Sequence, residues 1–470
     1  MKLDGDLGTT VVILGLARQG KALARFFAER GARVTVSDLR AAAALQADRA
    51  ELEGLPIRYV LGEHPLELLD GCDLLCLSGG VPADSMLVSE AHRRGVPVSN
   101  DAQEFMRRCP ALIVGITGSA GKTTTTSLVG AMLKTSGFTT WVGGNIGNPL
   151  IADLGKIRPE DRVVMELSSF QLEVMACSPQ VAGVLNITPN HLDRHKTMEM
   201  YIAAKAHIVA HQSADGIAVL GYDEPNARGL GAQTPARVRY FSGCAEVAEG
   251  AFLRGDALML RHADGFSVEV CCRSELKLRG FHNVMNVLAA IALADAAGAS
   301  VPAMRQAISS FTGVEHRLEP VRSWRGVLWI NDSIATAPER VLAALDSFEE
   351  PLVLLAGGRD KNLPWAEFAE RAVARVRVLI VFGEAAALIK GHIARVQEAT
   401  AETGALEEIV QVQTLEQAVA EAAKRARSGD VVLLSPGGTS FDSFVDFAQR
   451  GERFRELVGM LDQIVLQEEV

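Results

Sequence analysis

The sequence has no long apolar run and no excess of positive charge. None of its uninterrupted apolar stretches approaches the about 18 residues that a membrane-spanning helix needs, and its first residues lack the basic and apolar segments of a secretion signal. Lys and Arg number 47 against 57 Asp and Glu, a formal charge of −10 that argues against broad binding to nucleic acid. We therefore expect a cytoplasmic protein that neither enters a membrane nor binds nucleic acid.

Cysteine is also sparse, with seven residues that are scattered and odd in number. Only Cys271 and Cys272 are close neighbours, and their spacing is too tight for a metal or redox site, so we expect reduced thiols. No short-period repeat or low-complexity tract is present, which excludes solenoid and fibrous classes. The 470 residues, 48% of them hydrophobic, suffice for about three globular domains at ~150 residues each.

Apolar runs that alternate with amphipathic stretches predict a three-domain α/β protein. We expect a Rossmann-like N-terminal sheet in residues 1–109, a central P-loop ATPase-type sheet in 110–313 and a Rossmann-like C-terminal sheet in 314–470. Short alternating stretches between 216 and 278 predict a small antiparallel appendage on the central domain. The main strand candidates are Val11–Leu14, Arg33–Val36, Asp73–Leu77, Leu112–Ile116, Arg162–Leu167, Val181–Asn186, Val327–Ile330, Leu352–Leu355, Val376–Val381 and Val431–Leu434.

The strongest motif is the segment GITGSAGKT at residues 115–123, which lies between an apolar strand and a helix. This is the context of a phosphate-binding loop, whose backbone amides and helix N-terminus bind phosphates. Lys122 would reach the β and γ phosphates, and the Thr123 hydroxyl would ligate Mg²⁺. Ile116 stands where the strict pattern has its first glycine. The alternative is a glycine-rich turn followed by a surface lysine.

A weaker glycine cluster, Gly15–Gly20, follows the first strand candidate, and Asp38 ends the next. It reads G-x-A-x-x-G, so the middle glycine of a dinucleotide fingerprint is missing. Packing of a strand–helix turn and binding of a phosphate-bearing nucleotide both remain open for this segment.

Three further residues are candidates for the central site. Glu166 ends a strand candidate, where a carboxylate can hold Mg²⁺ near the phosphate loop. His191 follows another strand and can add a ligand, although a hydrogen-bonded loop histidine is the plainer interpretation. Lys205 lies in a predicted helix, where an isolated lysine usually faces solvent.

Taken in order, these motifs and several others resemble the Mur ligase family over essentially the whole chain. The further segments are Gly143–Gly147, Glu166–Gln171, His191–Asp193, His282–Asn283, His316–Arg317 and Asn331–Ser333. Within the family, they are most similar to the members that add D-glutamate to UDP-N-acetylmuramoyl-L-alanine. The resemblance implies a monomeric ATP-dependent amide ligase of peptidoglycan precursor synthesis. Such an enzyme forms ADP and an acyl-phosphate intermediate, which closing domains protect from water.

The resemblance also implies site residues. Catalysis would use Lys122, Glu166, His191 and Lys205. ATP would contact Gly118, Ser119, Ala120, Gly121, Lys122, Thr123, Thr124, Asn286, Arg317 and Asp332. Mg²⁺ would be held by Thr123, Glu166, His191 and a carbamylated Lys205. The UDP-linked substrate would contact Leu16, Arg40, Ser78, Asn145 and Gln171, and the amino acid Thr336, Lys361, Ser440 and Phe447.

The amino-acid pocket departs from the family pattern. Ile334 stands where related enzymes often have lysine, and Arg359-Asp360 differs from the residues that often precede the lysine matched by Lys361. A Mur-type ligase with another amino-acid specificity and a folylpolyglutamate synthase therefore remain open. An ATP-binding protein that performs no ligation is a third candidate. The first glycine turn, taken by itself, is also compatible with a dinucleotide-dependent oxidoreductase.

Overall fold

The computed structural model describes residues 6–147, 149–190, 192–278, 280–361, 363–399 and 404–463. These residues divide into two compact units. The first contains the described chain up to Lys277 together with Phe281–Phe311, and the second contains Leu278, Gly280 and the described chain from Thr312 onward. Within the described residues, no helix is both long and apolar enough to cross a membrane. All seven cysteines are free thiols.

The first unit begins with a parallel five-stranded sheet in the order β3-β2-β1-β4-β5. Its strands are β1 (Thr10–Leu14), β2 (Arg33–Asp38), β3 (Ile57–Leu61), β4 (Leu74–Leu77) and β5 (Val98–Asn100). The helices of this part are α1 (Arg18–Ala28), α2 (Gln46–Ala50), α3 (Met86–Arg94) and α4 (Asp101–Arg108).

The same unit continues with a nine-stranded mixed sheet in the order β14-β13-β12-β11-β10-β9-β6-β8-β7. Its strands are β6 (Leu112–Thr117), β7 (Thr140–Gly144), β8 (Arg162–Glu166), β9 (Val181–Val184), β10 (Ile217–Gly221), β11 (Arg237–Ser242), β12 (Gly250–Arg254), β13 (Ala257–Arg261) and β14 (Ser267–Cys272). Its helices are α5 (Lys122–Thr135), α6 (Ser169–Leu172), α7 (Leu192–His195), α8 (Met198–Ala210), α9 (Pro225–Gly229), α10 (Phe281–Ala296) and α11 (Val301–Ser310).

The antiparallel segment of the central sheet is shorter than its sequence pattern suggests. β12, β13 and β14 pair antiparallel, but β10 and β11 are parallel members of the main sheet. Because β12 pairs with β11 in parallel, the antiparallel strands extend the central sheet instead of forming a separate one.

The second unit holds a six-stranded mixed sheet in the order β15-β16-β20-β17-β18-β19. Its strands are β15 (Glu319–Trp324), β16 (Val327–Asn331), β17 (Leu352–Gly357), β18 (Val376–Phe382), β19 (Glu408–Gln411) and β20 (Val431–Gly437). Its helices are α12 (Pro338–Leu345), α13 (Ala366–Arg375), α14 (Ala386–Ala399), α15 (Leu415–Arg425) and α16 (Phe447–Gly459). β17, β18 and β20 are buried at every position, as expected for central parallel strands covered on both faces.

The predicted α/β fold with three sheets is therefore confirmed, while the domain boundaries at 109/110 and 313/314 stay a prediction.

The candidate sites share one kind of position in the fold, the edge at which neighbouring parallel strands end. Parallel neighbours end at a common edge, so the loops that follow them converge, as in other open α/β sheets. The loops after β6 and β8 meet at one such edge, and those after β16, β17 and β20 meet at another.

The junction between β11 and β12 gives a stability prediction. Gly250 has φ +119°, and a Cβ built there would overlap the carbonyl oxygen of Tyr240 on the paired strand. Gly250→Ala should therefore lower the unfolding free energy by about 2 to 4 kcal/mol, through backbone strain and steric overlap. Gly255→Ala is the matched control, because Gly255 also has positive φ (+59°) but no atom within 4 Å of its Cβ position. Equal losses of melting temperature in the two variants would contradict the steric account.

Candidate active site

The phosphate-loop segment joins β6 to α5. Gly121 has φ +82°, and a Cβ there would overlap Oδ1 of Asn286, which lies on α10 and is 7% exposed. Gly121 thus lets the loop and the buried Asn286 approach closely. Ile116 lies inside β6, where it pairs with Glu166, so the position that the strict motif gives to glycine needs no turn here.

Hydrogen bonds hold the loop in place. The backbone amide of Ser119 donates to the carbonyl of Asn186, and the amide of Ala120 donates to Oδ1 of the same residue, both at 2.9 Å. Lys122 Nζ donates to the carbonyl of Gly118 at 2.8 Å. Gly118, Ser119, Ala120 and Gly121 therefore form a fixed turn, and Lys122, Thr123 and Thr124 make up the first turn of α5.

Glu166 lies against this loop. It ends β8 beside β6 and is only 2% exposed. Its two carboxylate oxygens accept from Thr123 Oγ1 at 2.8 Å and from Asn145 Nδ2 at 2.9 Å. The Thr123 hydroxyl and the Glu166 carboxylate supply oxygen donors of the kind that Mg²⁺ takes beside substrate phosphates, so these residues fit the ion. In the described part of the chain, no three His, Cys, Asp or Glu side chains converge as a metal site.

Lys205 is buried, and the expectation that an isolated lysine on this helix faces solvent is wrong. Its side chain is 1% exposed, and Nζ donates to Thr117 Oγ1 at 3.2 Å and to the carbonyl of Gly118 at 3.0 Å. Burial, and then the charge of Lys122, hold the pKa of Lys205 well below its usual value, while Glu166 opposes the shift. Apolar residues of α8 surround Lys205, whereas a solvated lysine usually lies on a polar face of its helix. This pattern is the sequence signal that Lys205 is buried.

His195 and Tyr201 support this cluster, although neither was singled out from the sequence. His195 is 2% exposed and lies within hydrogen-bonding distance of Ser169 Oγ, at 2.9 Å. Its ring stacks on Phe170 with 5.2 Å between centroids. Tyr201 has its hydroxyl 3.0 Å from Ser119 Oγ, so α8 is also linked to the phosphate loop. His191 lies outside the described residues.

A second group of predicted residues lies at the carboxyl edge of the first sheet. Leu16 donates its backbone amide to Asp38 at 2.8 Å, and Arg40 pairs with the same carboxylate through Nε and Nη2 at 3.0 and 2.8 Å. Burial alone would raise the pKa of Asp38, but these hydrogen bonds lower it to about 2. Ser78 is 2% exposed, and its Oγ has no hydrogen-bond partner among the described residues.

Asn145 and Gln171 lie where the first and central sheets of this unit meet. Arg18 Nη2 donates to the Asn145 carbonyl at 3.3 Å. Gln171 is 2% exposed, its carbonyl accepts from Asn100 Nδ2 at 2.8 Å, and its own Nε2 donates to Asp101 at 3.5 Å. The main-chain carbonyls of Asn145 and Gln171 therefore accept hydrogen bonds across the junction, and the Gln171 side chain donates one across it.

The second unit carries the remaining predicted ATP contacts. Asp332 follows β16 and is 5% exposed, and it accepts from Ser435 Oγ at 2.8 Å and from the Leu318 amide at 3.2 Å. Burial raises the pKa of Asp332 to about 7 against these hydrogen bonds. Arg317 is exposed on a turn whose neighbours His316 and Leu318 both have positive φ, 62° and 43°.

The predicted amino-acid residues lie on the loops after β16, β17 and β20 of this unit. Thr336 is half-buried and Lys361 is exposed, and each belongs to a different loop. Ser440 is 2% exposed, and Phe447 begins α16, where its carbonyl accepts from Ser333 Oγ at 2.8 Å. The convergence of these loops brings the predicted residues to one edge of the sheet.

Comparison with known proteins agrees with this arrangement of sheets and loops. The family models of the Mur ligase MurD-like N-terminal domain, the Mur ligase middle domain and the Mur ligase glutamate ligase domain match residues 9–100, 116–294 and 316–438. The UDP-N-acetylmuramoylalanine–D-glutamate ligase of Symbiobacterium thermophilum is 42% identical over 451 residues, 96% of this chain and 97% of that protein. The Clostridium kluyveri enzyme of the same name is 40% identical over 447 residues, 95% of each chain.

Solved structures show the same fold at lower identity. UDP-N-acetylmuramate-alanine ligase MurC from Thermotoga maritima superposes with a TM-score of 0.56 at 21% identity, over 96% of this chain and 99% of that one. MurF ligase from Thermotoga maritima in complex with ADP gives 0.53 at 20% identity, over 97% and 96%. With relatives of about 40% identity along nearly its whole length, the chain belongs to the Mur ligase family.

The burial of Lys205 gives a prediction about pH. Between its depressed pKa and the usual value of 10.5, the unfolded chain binds the proton that the folded chain does not, so Lys205 makes stability rise with pH. Lys205→Met should remove this contribution. The melting temperature of the unmodified protein, measured against that of the variant in carbon-dioxide-free buffer, should climb between pH 7 and pH 10. Parallel curves would show that Lys205 keeps an ordinary pKa.

Proposed function

We propose that the protein is the ligase that adds D-glutamate to UDP-N-acetylmuramoyl-L-alanine, with conversion of ATP to ADP and phosphate, in peptidoglycan precursor synthesis. Two findings support this function. Relatives of that name match 96% of the chain at up to 42% identity, and the N-terminal match is to the MurD-like form of that domain. We also infer that the protein acts in the cytoplasm and, since the proposed site residues all lie on one chain, that it acts as a monomer.

One observation carries the proposed chemistry, namely the cluster of Lys122, Glu166 and Lys205 around the phosphate loop. Thr123 bonds to Glu166, while Lys122 and Lys205 both donate to the Gly118 carbonyl, so these groups share one small volume. Phosphoryl transfer needs positioned positive charge around the migrating phosphate, together with a metal beside it. Lys122 would contact the β and γ phosphates, and Asn286 lies against the same loop.

The reaction then proceeds in two steps. A carboxylate oxygen of the muramoyl substrate attacks the γ-phosphorus of ATP, the bond to the ADP oxygen breaks, and an acyl phosphate forms. The amine of D-glutamate next attacks the acyl carbon, the carbon–oxygen bond to phosphate breaks, and the amine loses a proton. Phosphorylation is needed because a free carboxylate is a poor electrophile, and the acyl phosphate must be kept from water.

Lys205 is suited to carbamylation. A neutral amine attacks carbon dioxide, a nitrogen–carbon bond forms, and one proton is released to leave a carbamate anion. Burial and the Lys122 charge favour the neutral amine of Lys205, and no carboxylate of the described residues lies within ion-pair distance of it. Mg²⁺, held by Thr123, Glu166, the carbamate and His191, would neutralise charge on the phosphates and the substrate carboxylate.

We assign the other substrate contacts to the residues that the family resemblance implies. The UDP-linked substrate would use Leu16, Arg40 and Ser78 at the first sheet, where the buried Ser78 hydroxyl has no partner among the described residues. Asn145 and Gln171 would contact its muramoyl part. In the second unit, Arg317 would bind phosphate and Asp332 the ribose hydroxyls, while Thr336, Lys361, Ser440 and Phe447 would hold D-glutamate.

The direct test is phosphate release with ATP, Mg²⁺ and UDP-N-acetylmuramoyl-L-alanine, with amino acids added singly and the product mass determined. We expect release and an amide product with D-glutamate but not with L-glutamate, D-glutamine or D-alanine. Turnover with another amino acid alone would overturn the proposed specificity, and no turnover with any would overturn the ligase function.

Two variants test whether this activity depends on the phosphate loop. Lys122→Ala should lower kcat about 100-fold or more, because the transition state loses a positioned charge. Lys134→Ala is the matched control, since Lys134 is an exposed lysine in the last turn of the same helix. Equal activity of the two variants would contradict the assigned role of Lys122.

A further inference from the structure

Backbone hydrogen bonds join three loops at the carboxyl edge of the sheet in the second unit. The Gly437 amide donates to the Ala335 carbonyl at 2.8 Å, which joins the loop after β20 to the loop after β16. Arg359 and Thr439 exchange backbone hydrogen bonds, each at 2.8 Å, which joins the loop after β17 to the same point. We call residues 332–336, 358–361 and 437–440 the platform.

A buried arginine lies beneath this platform. Arg450 is 1% exposed, and its guanidinium donates to Ser333 Oγ at 3.0 Å, to the Ser333 carbonyl at 2.9 Å and to the Gly438 carbonyl at 3.2 Å. These partners are all neutral, and no carboxylate of the described residues lies within ion-pair distance. Burial lowers the pKa of Arg450 to about 10, opposed by the charge of Asp442. The platform therefore rests on a positive charge that is only partly balanced.

Two more cations face the same region. Arg340, in the first turn of α12, folds back so that Nη1 donates to the Ile334 carbonyl at 3.3 Å. Lys361 stands on the loop after β17, and its pKa is lowered by burial and by the nearby charges of Arg340 and Arg450. Neither Arg340 nor Lys361 has a carboxylate within ion-pair distance in the described part of the chain.

Several other arginines of this unit differ from Arg340 in having carboxylate partners. Arg359 pairs with Glu384 at 2.8 Å, Arg371 with Asp346 at 2.8 Å, and Arg322 with Asp462 at 2.7 Å. Arg340 is thus a cation beside the platform that has no carboxylate partner among the described residues, so its planar fork can bind an anion. A guanidinium pairs with a carboxylate through two parallel hydrogen bonds, a geometry that an ammonium group does not offer.

Two carboxylates act on these cations at longer range, Asp332 on Arg340 and Asp442 on Arg450, but neither forms an ion pair with Arg340 or Lys361. Asp332 is already engaged by Ser435 and by the Leu318 amide, and it is buried. Asp360 accepts from the Trp365 indole at 3.0 Å. Arg340 and Lys361 therefore have no ion-pair partner among the described residues, and an anionic ligand would supply one.

From this geometry we propose that Arg340, beside Lys361, contacts the side-chain carboxylate of the incoming amino acid and determines the selectivity for an acidic one. The proposal rests on the proposed function and adds a residue to it. In this proposal Arg340 binds the amino acid and takes no part in the bond changes of the reaction.

The test uses Arg340→Ala and Arg340→Lys in the full-length protein, with Arg371→Ala as the matched control. Arg371 is an exposed arginine of the same unit that already has its own carboxylate partner. We expect Arg340→Ala to raise the KM for D-glutamate roughly 10- to 100-fold, as for loss of a charged hydrogen bond. In Arg340→Ala, the KM values for ATP and for the UDP-linked substrate should change by no more than about twofold. In Arg371→Ala, the KM values for all three substrates should stay within the same limit. Arg340→Lys should recover part of the loss.

The selectivity readout separates a binding role from a structural one. In Arg340→Ala, the ratio of the inhibition constant of D-glutamine to the KM of D-glutamate should fall, because only D-glutamate has the second carboxylate. An unchanged ratio, or an equal rise in all three KM values, would overturn the inference and leave the proposed function standing. If another acidic amino acid is the substrate, the proposed function is corrected and the same variants test Arg340 on that amino acid. Turnover of uncharged amino acids alone would overturn both.

Discussion

The candidate active site depends on one constraint, the burial of the Lys205 amine against the backbone of the phosphate loop. Burying an ionisable group without a carboxylate partner is costly, so the group gives up its charge or gains an anion. In this protein Nζ is held by Thr117 and Gly118, the residues at which β6 becomes the loop. The same carbonyl of Gly118 accepts from Lys122, which places both amines over the turn that would bind phosphate.

The charge distribution explains how an acidic protein would bind the anionic substrates of the proposed function. The chain carries a net charge of −10, yet cations gather at its candidate sites. In the first unit this is Lys122, which donates to the Gly118 carbonyl beside the neutral amine of Lys205, and in the second unit they are Arg340, Lys361 and Arg450. ATP, a nucleotide-linked carboxylate and a dicarboxylic amino acid would each bring negative charge to these positions. Local donors, and not the overall charge, thus select the ligands.

Much of the fold could be predicted from the sequence, and the strands that could not are informative. The apolar central strands, such as β1, β6, β17 and β20, were predicted from their runs of buried residues. β3, β5, β7, β15 and β19 were not predicted, and each lies at an edge of its sheet. An edge strand is covered on fewer sides, so its residues carry a weaker apolar signal. β10 and β11 were assigned to the antiparallel appendage because short strands have similar patterns in either orientation.

At the candidate active site, the phosphate loop could be predicted because its residues follow one another in the sequence. The burial of Lys205 against the phosphate loop and the contacts of His195 depend on packing between segments that are far apart in sequence. No local sequence pattern predicts such packing. Arg340 gave no sequence signal at all, because its position over Ile334 is set by the start of α12 and by the loops that β17 and β20 bring to the same edge.

The most direct test of the account follows oxygen atoms through the reaction. UDP-N-acetylmuramoyl-L-alanine labelled with ¹⁸O in both carboxylate oxygens is incubated with the protein, ATP and D-glutamate, and the released phosphate is analysed by mass. An acyl phosphate predicts that each phosphate carries one ¹⁸O and that the amide carbonyl keeps the other. Unlabelled phosphate released together with the amide product would contradict activation of the carboxylate at this site.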